Sequence, residues 1–323
     1  WQQALAHLEG CNPVAAIRLI AVRIRLASAV QAEARSRRQT AGKLGLAGAF
    51  SLMAAAWLVG NRQSAPDNHA VAAATAPASD ITLVASDGLA IAGTFYPGAQ
   101  NNSPAVLLLH GNDGSRASMA DAAQWLAGQG YAVLAIDFRG HGESAKVDRS
   151  FGYFEARDAR AALAWLKQRQ QGAPLAIIGS SLGGAAALIG EDGPIAADAL
   201  VLQAVYPDIR RAIHNRLASR LGGAAATVLE PMLSYQSRLR FGVWPDRLAP
   251  VEAIRQSRSP LLVIGSTGDI YTPPSETPAL FDAANGDKQL WLLDGQSHEA
   301  MTTAGDDAWR DRVGRFLADK LRQ

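Results

Sequence analysis

From residue 80 onward the chain predicts an α/β fold, a mostly parallel sheet with helices on both faces and a small helical insertion. Two observations predict it. Short apolar runs alternate with longer helical stretches up to the end of the chain, the order in which crossover helices link parallel strands. Residues 175–178 form an apolar run that enters Gly179-Ser180-Ser181-Leu182-Gly183 and leaves as an Ala-rich helix over 185–189. That strand–turn–helix junction lies at the carboxyl end of a strand, where open α/β sheets carry their sites.

Taken in order, residues 81–84 and 89–96 flank Ser86-Asp87-Gly88, a hairpin signal. Residues 105–109 are a buried strand, followed by a helix near 118–129. A strand over 131–137 precedes a helix over 154–170, with Ala156, Ala159, Leu163 and Leu166 on one face. After the junction come strands at 199–203, 261–265 and 289–293, the last two each followed by a helix. Residues 208–258 interrupt the alternation with helical pieces near 209–221 and 225–238, then Trp244-Pro245 and Pro250. This insertion is a cap over the strand ends or a set of extra helices on the sheet edge.

The N-terminal quarter is organised differently. Residues 1–43 carry seven Arg or Lys against two Glu and receive no function; 14–34 fit neither helical nor strand period well. Arg35, Arg37, Arg38 and Lys43 precede an uncharged run over 44–60, the pattern of a signal peptide core or signal anchor. With positive charge held inside, the body after residue 60 is expected outside the cytoplasm, the alternative being a cytoplasmic protein. Residues 61–79, rich in Ala, Ser and Pro, predict a flexible tether, leaving 80–323 as the folded domain. Residue 1 is Trp rather than Met, so a processed or partial N-terminus is expected.

Composition sets limits on function. Of 323 residues, 48% are hydrophobic and 19% charged, as for one globular domain with an appendage. Beyond residue 43 there are 24 basic and 27 acidic side chains, which gives no reason to expect nucleic acid as a partner. Cys11 is the only cysteine, so an intrachain disulfide and a cysteine metal site are both impossible.

The turn at 179–183 makes Ser181 the candidate nucleophile, because small neighbours let a serine on a sharp turn project from the fold. Taken alone it also fits a helix-capping or phosphate-cradling loop, but no lysine follows as a P-loop requires. A serine hydroxyl needs a base, and the base needs an orienting group. Of six histidines only His298 follows the last strand, which makes it the candidate base. Asp269, after the strand at 261–265, is the candidate acid; Asp208, after 199–203, is its rival. Acyl chemistry also needs donors for an oxyanion, assigned to the backbone N–H of Leu182 and of Asn112.

Together His110-Gly111, the turn Asp137 to Ser144, the 179–183 elbow, Asp269 with Pro273, and His298 resemble the α/β-hydrolase superfamily. The serine-aminopeptidase and dienelactone-hydrolase-like branch is the nearest, over about residues 80–322. The resemblance implies an eight-stranded sheet whose first two strands form an antiparallel start, and a structural 139–144 turn. Dienelactone hydrolases use cysteine and dehalogenases aspartate where this chain has Ser181, so neither substrate is carried over. The expected activity is hydrolysis of a small-molecule acyl ester or thioester, or an amide, through an acyl-enzyme on Ser181, with no cofactor or metal. The alternatives are an aminopeptidase-type enzyme and a non-catalytic, membrane-tethered binding module. Leu217, Leu221, Val228, Leu229, Met232 and Leu233 of the insertion are either an acyl pocket or ordinary core.

Overall fold

The computed structural model describes residues 13–302 and 306–321. The chain divides into two compact units, one ending at Ala55 and one beginning at Ala56. Helix α1 (Pro13–Ser64) supplies all the described structure of the first unit. Val22, Leu26, Leu46 and Phe50 there are exposed. Among the described residues no helix is long and apolar enough to cross a membrane. The uncharged 44–60 run lies inside α1. At about 1.5 Å per residue it reaches roughly 26 Å, short of the roughly 30 Å of a hydrocarbon layer.

The second unit holds the sheet. Its strands are β1 (Asp67–Asn68), β2 (Ser79–Val84), β3 (Ala90–Tyr96), β4 (Ala105–Leu109), β5 (Ala132–Ile136), β6 (His141–Gly142), β7 (Leu175–Ser180), β8 (Ala199–Gln203), β9 (Leu261–Ser266) and β10 (Lys288–Leu293). Eight of them form one sheet in the order β10-β9-β8-β7-β4-β5-β3-β2. Only β3 runs against its neighbours, so the expected antiparallel start is present. Helices α2 (Ala120–Gly128) and α3 (Glu155–Arg169) follow β4 and β6, and α4 (Leu182–Leu188) follows β7. The insertion contributes α5 (Ile209–Leu221), α6 (Gly223–Ser234), α7 (Gln236–Phe241) and the short α8 (Pro250–Ala253). The chain ends with α9 (Glu276–Ala283), α10 (His298–Thr302) and α11 (Asp307–Leu321).

Continuous apolar strands are buried on both faces here because alternate residues feed two cores. Leu107, Leu109, Leu134 and Ile177 pack with α3 and α4 on one side. Val106, Leu108, Val133 and Ile178 pack with α2 and α11 on the other. All are fully inaccessible, and burying each such side chain contributes roughly 1.5–3 kcal/mol. The face expected of the 154–170 helix is confirmed by buried Ala156, Ala159 and Leu166.

Residues 61–79 are not a free tether. Residues 61–64 are the last turn of α1, and Asp67 and Asn68 pair in parallel with His141 and Gly142. The Asn68 side-chain amide donates to the carbonyls of His141, Gly142 and Ser144 at 2.8–3.2 Å. Side-chain periodicity is silent about such backbone pairing, so the body begins earlier in the chain than residue 80. The single helix expected over 225–238 is broken between α6 and α7 at Tyr235, with Pro231 inside α6.

Candidate active site

The sheet order changes direction between β4 and β7, and the loops leaving these two strands splay apart above the gap. Ser181 stands at the end of β7 with φ +50° and ψ −111°, a conformation a non-glycine residue rarely adopts. Its neighbours permit the turn. A Cβ at Gly179 would lie 2.6 Å from Gly184, and one at Gly183 would strike the carbonyls of Leu109 and His110. The Ser181 N–H donates to Gln203 O at 2.8 Å.

His298 begins α10 just after β10, and Asp269 lies in the loop after β9. Their side chains meet Ser181. His298 Nε2 is 3.2 Å from Ser181 Oγ, and Nδ1 is 2.7 Å from Asp269 Oδ2. An ionised carboxylate only accepts, so the proton sits on Nδ1 and Nε2 is free to accept from the serine hydroxyl. The buried Asp269 carboxylate is fixed by its other oxygen, which accepts from the N–H of Tyr271 and of Thr272 at 2.8 Å each. Three groups drawn from positions 181, 269 and 298 thus form one hydrogen-bonded relay.

The insertion reaches this rim through α5. Asn215 donates to Tyr271 O at 3.1 Å, and the Arg216 guanidinium sits 4.9 Å from the Tyr271 ring centroid. The Tyr271 ring in turn meets the His298 imidazole edge-on at 5.6 Å. Asp208, the rival acid, instead caps α5 by accepting from Arg211 N at 2.9 Å.

On the β4 side His110 is fully buried. It accepts from Phe138 N at Nε2 (3.0 Å), so its Nδ1–H donates to Gly111 O at 2.7 Å. Burial, aided by neighbouring His141, pushes its pKa down to about 3, which keeps the ring neutral in this role. The N–H groups of Leu182 and Asn112 are given to no backbone carbonyl among the loop and cap hydrogen bonds. The Asn112 amide donates to Asp113 at 3.0 Å, while its buried Oδ1 has no partner among the described residues.

The fold and this junction match known proteins. A family model described as serine aminopeptidase, S33, covers residues 100–241. The esterase Pf2001 of Pyrococcus furiosus superposes with a TM-score of 0.62 at 21% identity, covering 80% of this chain and 98% of that one. The chain has the fold of the α/β-hydrolase superfamily and resembles it over these residues. These matches support a serine hydrolase. An uncharacterized protein of Mycobacterium tuberculosis is 29% identical over 244 residues, 74% of this chain and 79% of the relative. A lysophosphatidylserine lipase, ABHD12, of Danio rerio is 29% identical over 201 residues, 59% of this chain and 50% of the relative.

The 139–144 turn, which the resemblance implied to be structural, is held by the Asp137 carboxylate at its base. The Asp137 carboxylate accepts from Arg116 N at 2.6 Å and Glu143 N at 3.0 Å and pairs with the Arg116 guanidinium. Ser180 faces away from His298 and bonds to Gln203 Nε2 at 2.8 Å. Gln203 was not singled out in the sequence, yet its side chain also accepts from Trp309 Nε1 and donates to Met301 O at 3.2 Å. It therefore joins the elbow to α10 and α11; a polar residue closing an apolar strand was the one signal available.

The acidic residues of the insertion gather at one place. Asp208, Glu230, Asp246 and Glu252, with Arg210 and Arg211, line an open cavity of about 560 Å³. Arg210 holds Glu230 at 3.0 and 3.1 Å. The six apolar residues are not ordinary core. Leu221 and Val228 are exposed, and Leu217, Leu229, Met232 and Leu233 are only half-buried, because α6 turns Ala226, Glu230 and Ser234 inward. No group of His, Cys, Asp and Glu that could hold a metal ion occurs among the described residues.

Proposed function

We propose that this hydrolase cleaves an ester or thioester of an apolar acyl group through a covalent acyl-enzyme on Ser181. The observation that carries the reading is the relay of 3.2 and 2.7 Å from Ser181 through His298 to Asp269. As Ser181 Oγ attacks the acyl carbon, its proton passes to His298 Nε2, and Asp269 stabilises the imidazolium. The negative oxygen of the tetrahedral intermediate is received by the N–H groups of Leu182 and Asn112. Collapse expels the alcohol or thiol, which takes its proton from His298. Water then attacks the acyl carbon, gives a proton to His298, and a second collapse returns that proton to Ser181 and frees the acid.

The half-exposed leucines and methionine of α5 and α6 support an apolar acyl chain, and the likeness to a lysophosphatidylserine lipase points the same way. A p-nitrophenyl ester series from acetate to decanoate tests the reading. The protein should turn the esters over, with the medium chains preferred, and Ser181→Ala should be inert. Equal turnover by Ser181→Ala would refute it. A second reading, an aminopeptidase, is favoured by the cavity of the insertion, whose four carboxylates outnumber its two arginines and suit a cationic amino group. Faster cleavage of aminoacyl p-nitroanilides than of esters would select it.

We also propose that residues 44–60 are a signal peptide core or signal anchor, so that the hydrolase domain is exported or membrane-anchored outside the cytoplasm. The support is the basic flank Arg35, Arg37, Arg38 and Lys43 before the uncharged run. Protease added to spheroplasts should then digest the domain; a domain protected until the cells are lysed would place it in the cytoplasm.

A further inference from the structure

The Asn112 N–H serves as an oxyanion donor only if it is aimed, and two carbonyls fix its direction. On its N-terminal side, Gly111 O accepts from His110 Nδ1 at 2.7 Å and from Gly114 N at 3.1 Å. On its C-terminal side, Asn112 O accepts from His141 Nε2 at 2.7 Å and from Arg149 Nη1 at 3.1 Å. The Gly111 carbonyl shares its peptide plane with the Asn112 N–H, and the Asn112 carbonyl fixes the plane that follows, so the donor has little freedom to turn.

Arg149 is the unexpected member of this set. Its side chain is buried, with 8% of its surface exposed, and the nearest carboxylate oxygen, on the exposed Asp113, is 3.8 Å away. Its close hydrogen bonds go to two carbonyls instead, Asn112 O and, through Nη2 at 3.0 Å, Gln63 O. Its own N–H donates to Ser64 O at 2.7 Å. Burying a guanidinium without a closely bonded anion opposes folding, so a stability role explains it poorly. The planar fork of arginine suits a bridge between two fixed acceptors.

The far end of that bridge is itself anchored. Gln236 of α7 donates to Ala56 O at 2.9 Å, and Arg240 donates to Trp57 O at 3.0 Å with its guanidinium 4.1 Å from the Trp57 ring centroid. Further along, β1 pairs with β6, whose His141 also grips Asn112 O.

We infer that Arg149 is a positioning residue, tying residues 61–68 to the loop that carries Asn112 and so aiming its N–H at the developing oxyanion. The inference rests on the proposed role of Ser181. Stretches that read as linker thereby become part of what orients the reacting atoms, although none touches substrate.

The test uses the full chain with p-nitrophenyl butyrate and a matching alkyl trifluoromethyl ketone, whose serine adduct places an oxyanion where the intermediate's would be. Outright loss of an oxyanion donor costs about 10²–10³ in kcat, so misaiming one should cost about tenfold. Arg149→Ala should lose that in kcat with KM nearly unchanged, and ketone affinity should fall in step with kcat/KM. Arg149→Lys, which keeps the charge and one contact, should recover part of the loss. Asn68→Ala, which loosens β1 from β6 without removing any of Arg149's own hydrogen bonds, should lower kcat by roughly threefold if the segment matters. Wild-type kcat in Arg149→Ala, or a loss confined to KM or to melting temperature with ketone affinity intact, would overturn the inference. If Arg149→Ala cannot be purified folded, an unchanged kcat in Asn68→Ala overturns it alone. Ser181→Ala run alongside separates the two readings: an inert Ser181→Ala with an unaffected Arg149→Ala removes only the role of Arg149. Turnover by Ser181→Ala at the wild-type rate removes both.

Discussion

Replacing Asp269 by asparagine is the sharpest perturbation of the relay, because the surroundings dictate how the amide must sit. Asp269 Oδ1 accepts two backbone N–H groups, from Tyr271 and Thr272, at 2.8 Å. In Asp269→Asn the amide oxygen must take that place, since an NH₂ there would face two donors. The NH₂ is then left against His298 Nδ1, 2.7 Å away in the wild type, and that nitrogen has to become an acceptor. The imidazole proton moves to Nε2, where it faces Ser181 Oγ and cannot be replaced by the serine proton. The base is lost with the fold untouched. The same inversion of tautomer in serine proteases costs about 10⁴ in kcat, about 5 kcal/mol of barrier. Hydrolysis of p-nitrophenyl butyrate should fall by that order, while the melting temperature stays within a few degrees because the loop keeps its two backbone bonds. Asp208→Asn should stay within twofold, asparagine being as good a helix cap as aspartate. An Asp269→Asn enzyme within tenfold of wild type, or an Asp208→Asn enzyme more impaired than it, would refute the reasoning.

Two further perturbations follow from the scaffold. Gly183→Ala places a methyl against the carbonyls of Leu109 and His110, which cannot retreat without disturbing β4. It should cost roughly 3 kcal/mol, seen as a drop of about 6–12 °C in melting temperature; an unchanged midpoint would show that the elbow has room. His110 titrates near 3 when folded against an ordinary 6.5, so between those values the unfolded chain holds a proton that the folded chain lacks. Stability therefore rises with pH through this window and is lost on acidification, by about 3 kcal/mol from this residue at pH 4.5. Urea unfolding of the wild type should lose that much more than His110→Asn between pH 7.5 and 4.5, and parallel losses would contradict it.

Much of this was legible in the residues. Strands such as β4 and β8 match their expected limits because a strand buried on both faces must be apolar throughout, leaving polar residues to mark its ends. Ser181, Asp269 and His298 stood out as candidates from their places after strands, since a parallel sheet gathers the carboxyl ends of its strands at one rim. What escaped depends on contacts without a local signature. The pairing of Asp67 and Asn68 with β6 runs through backbone atoms, which every residue has. Glu230 and Asp246 stand 16 positions apart along the chain, yet both line one cavity, which no local pattern announces. Arg149 carried no motif, and its role emerges only when Gln63 and Asn112 are seen on either side of it.

The account stands most directly on which atom becomes covalently modified. After exposure of the full chain to an alkyl fluorophosphonate, intact-mass and peptide-mapping mass spectrometry should find a single phosphonyl adduct, on Ser181, absent from Ser181→Ala and greatly slowed in His298→Ala. A stoichiometric adduct on any other residue, or labelling of Ser181→Ala at the wild-type rate, would contradict it.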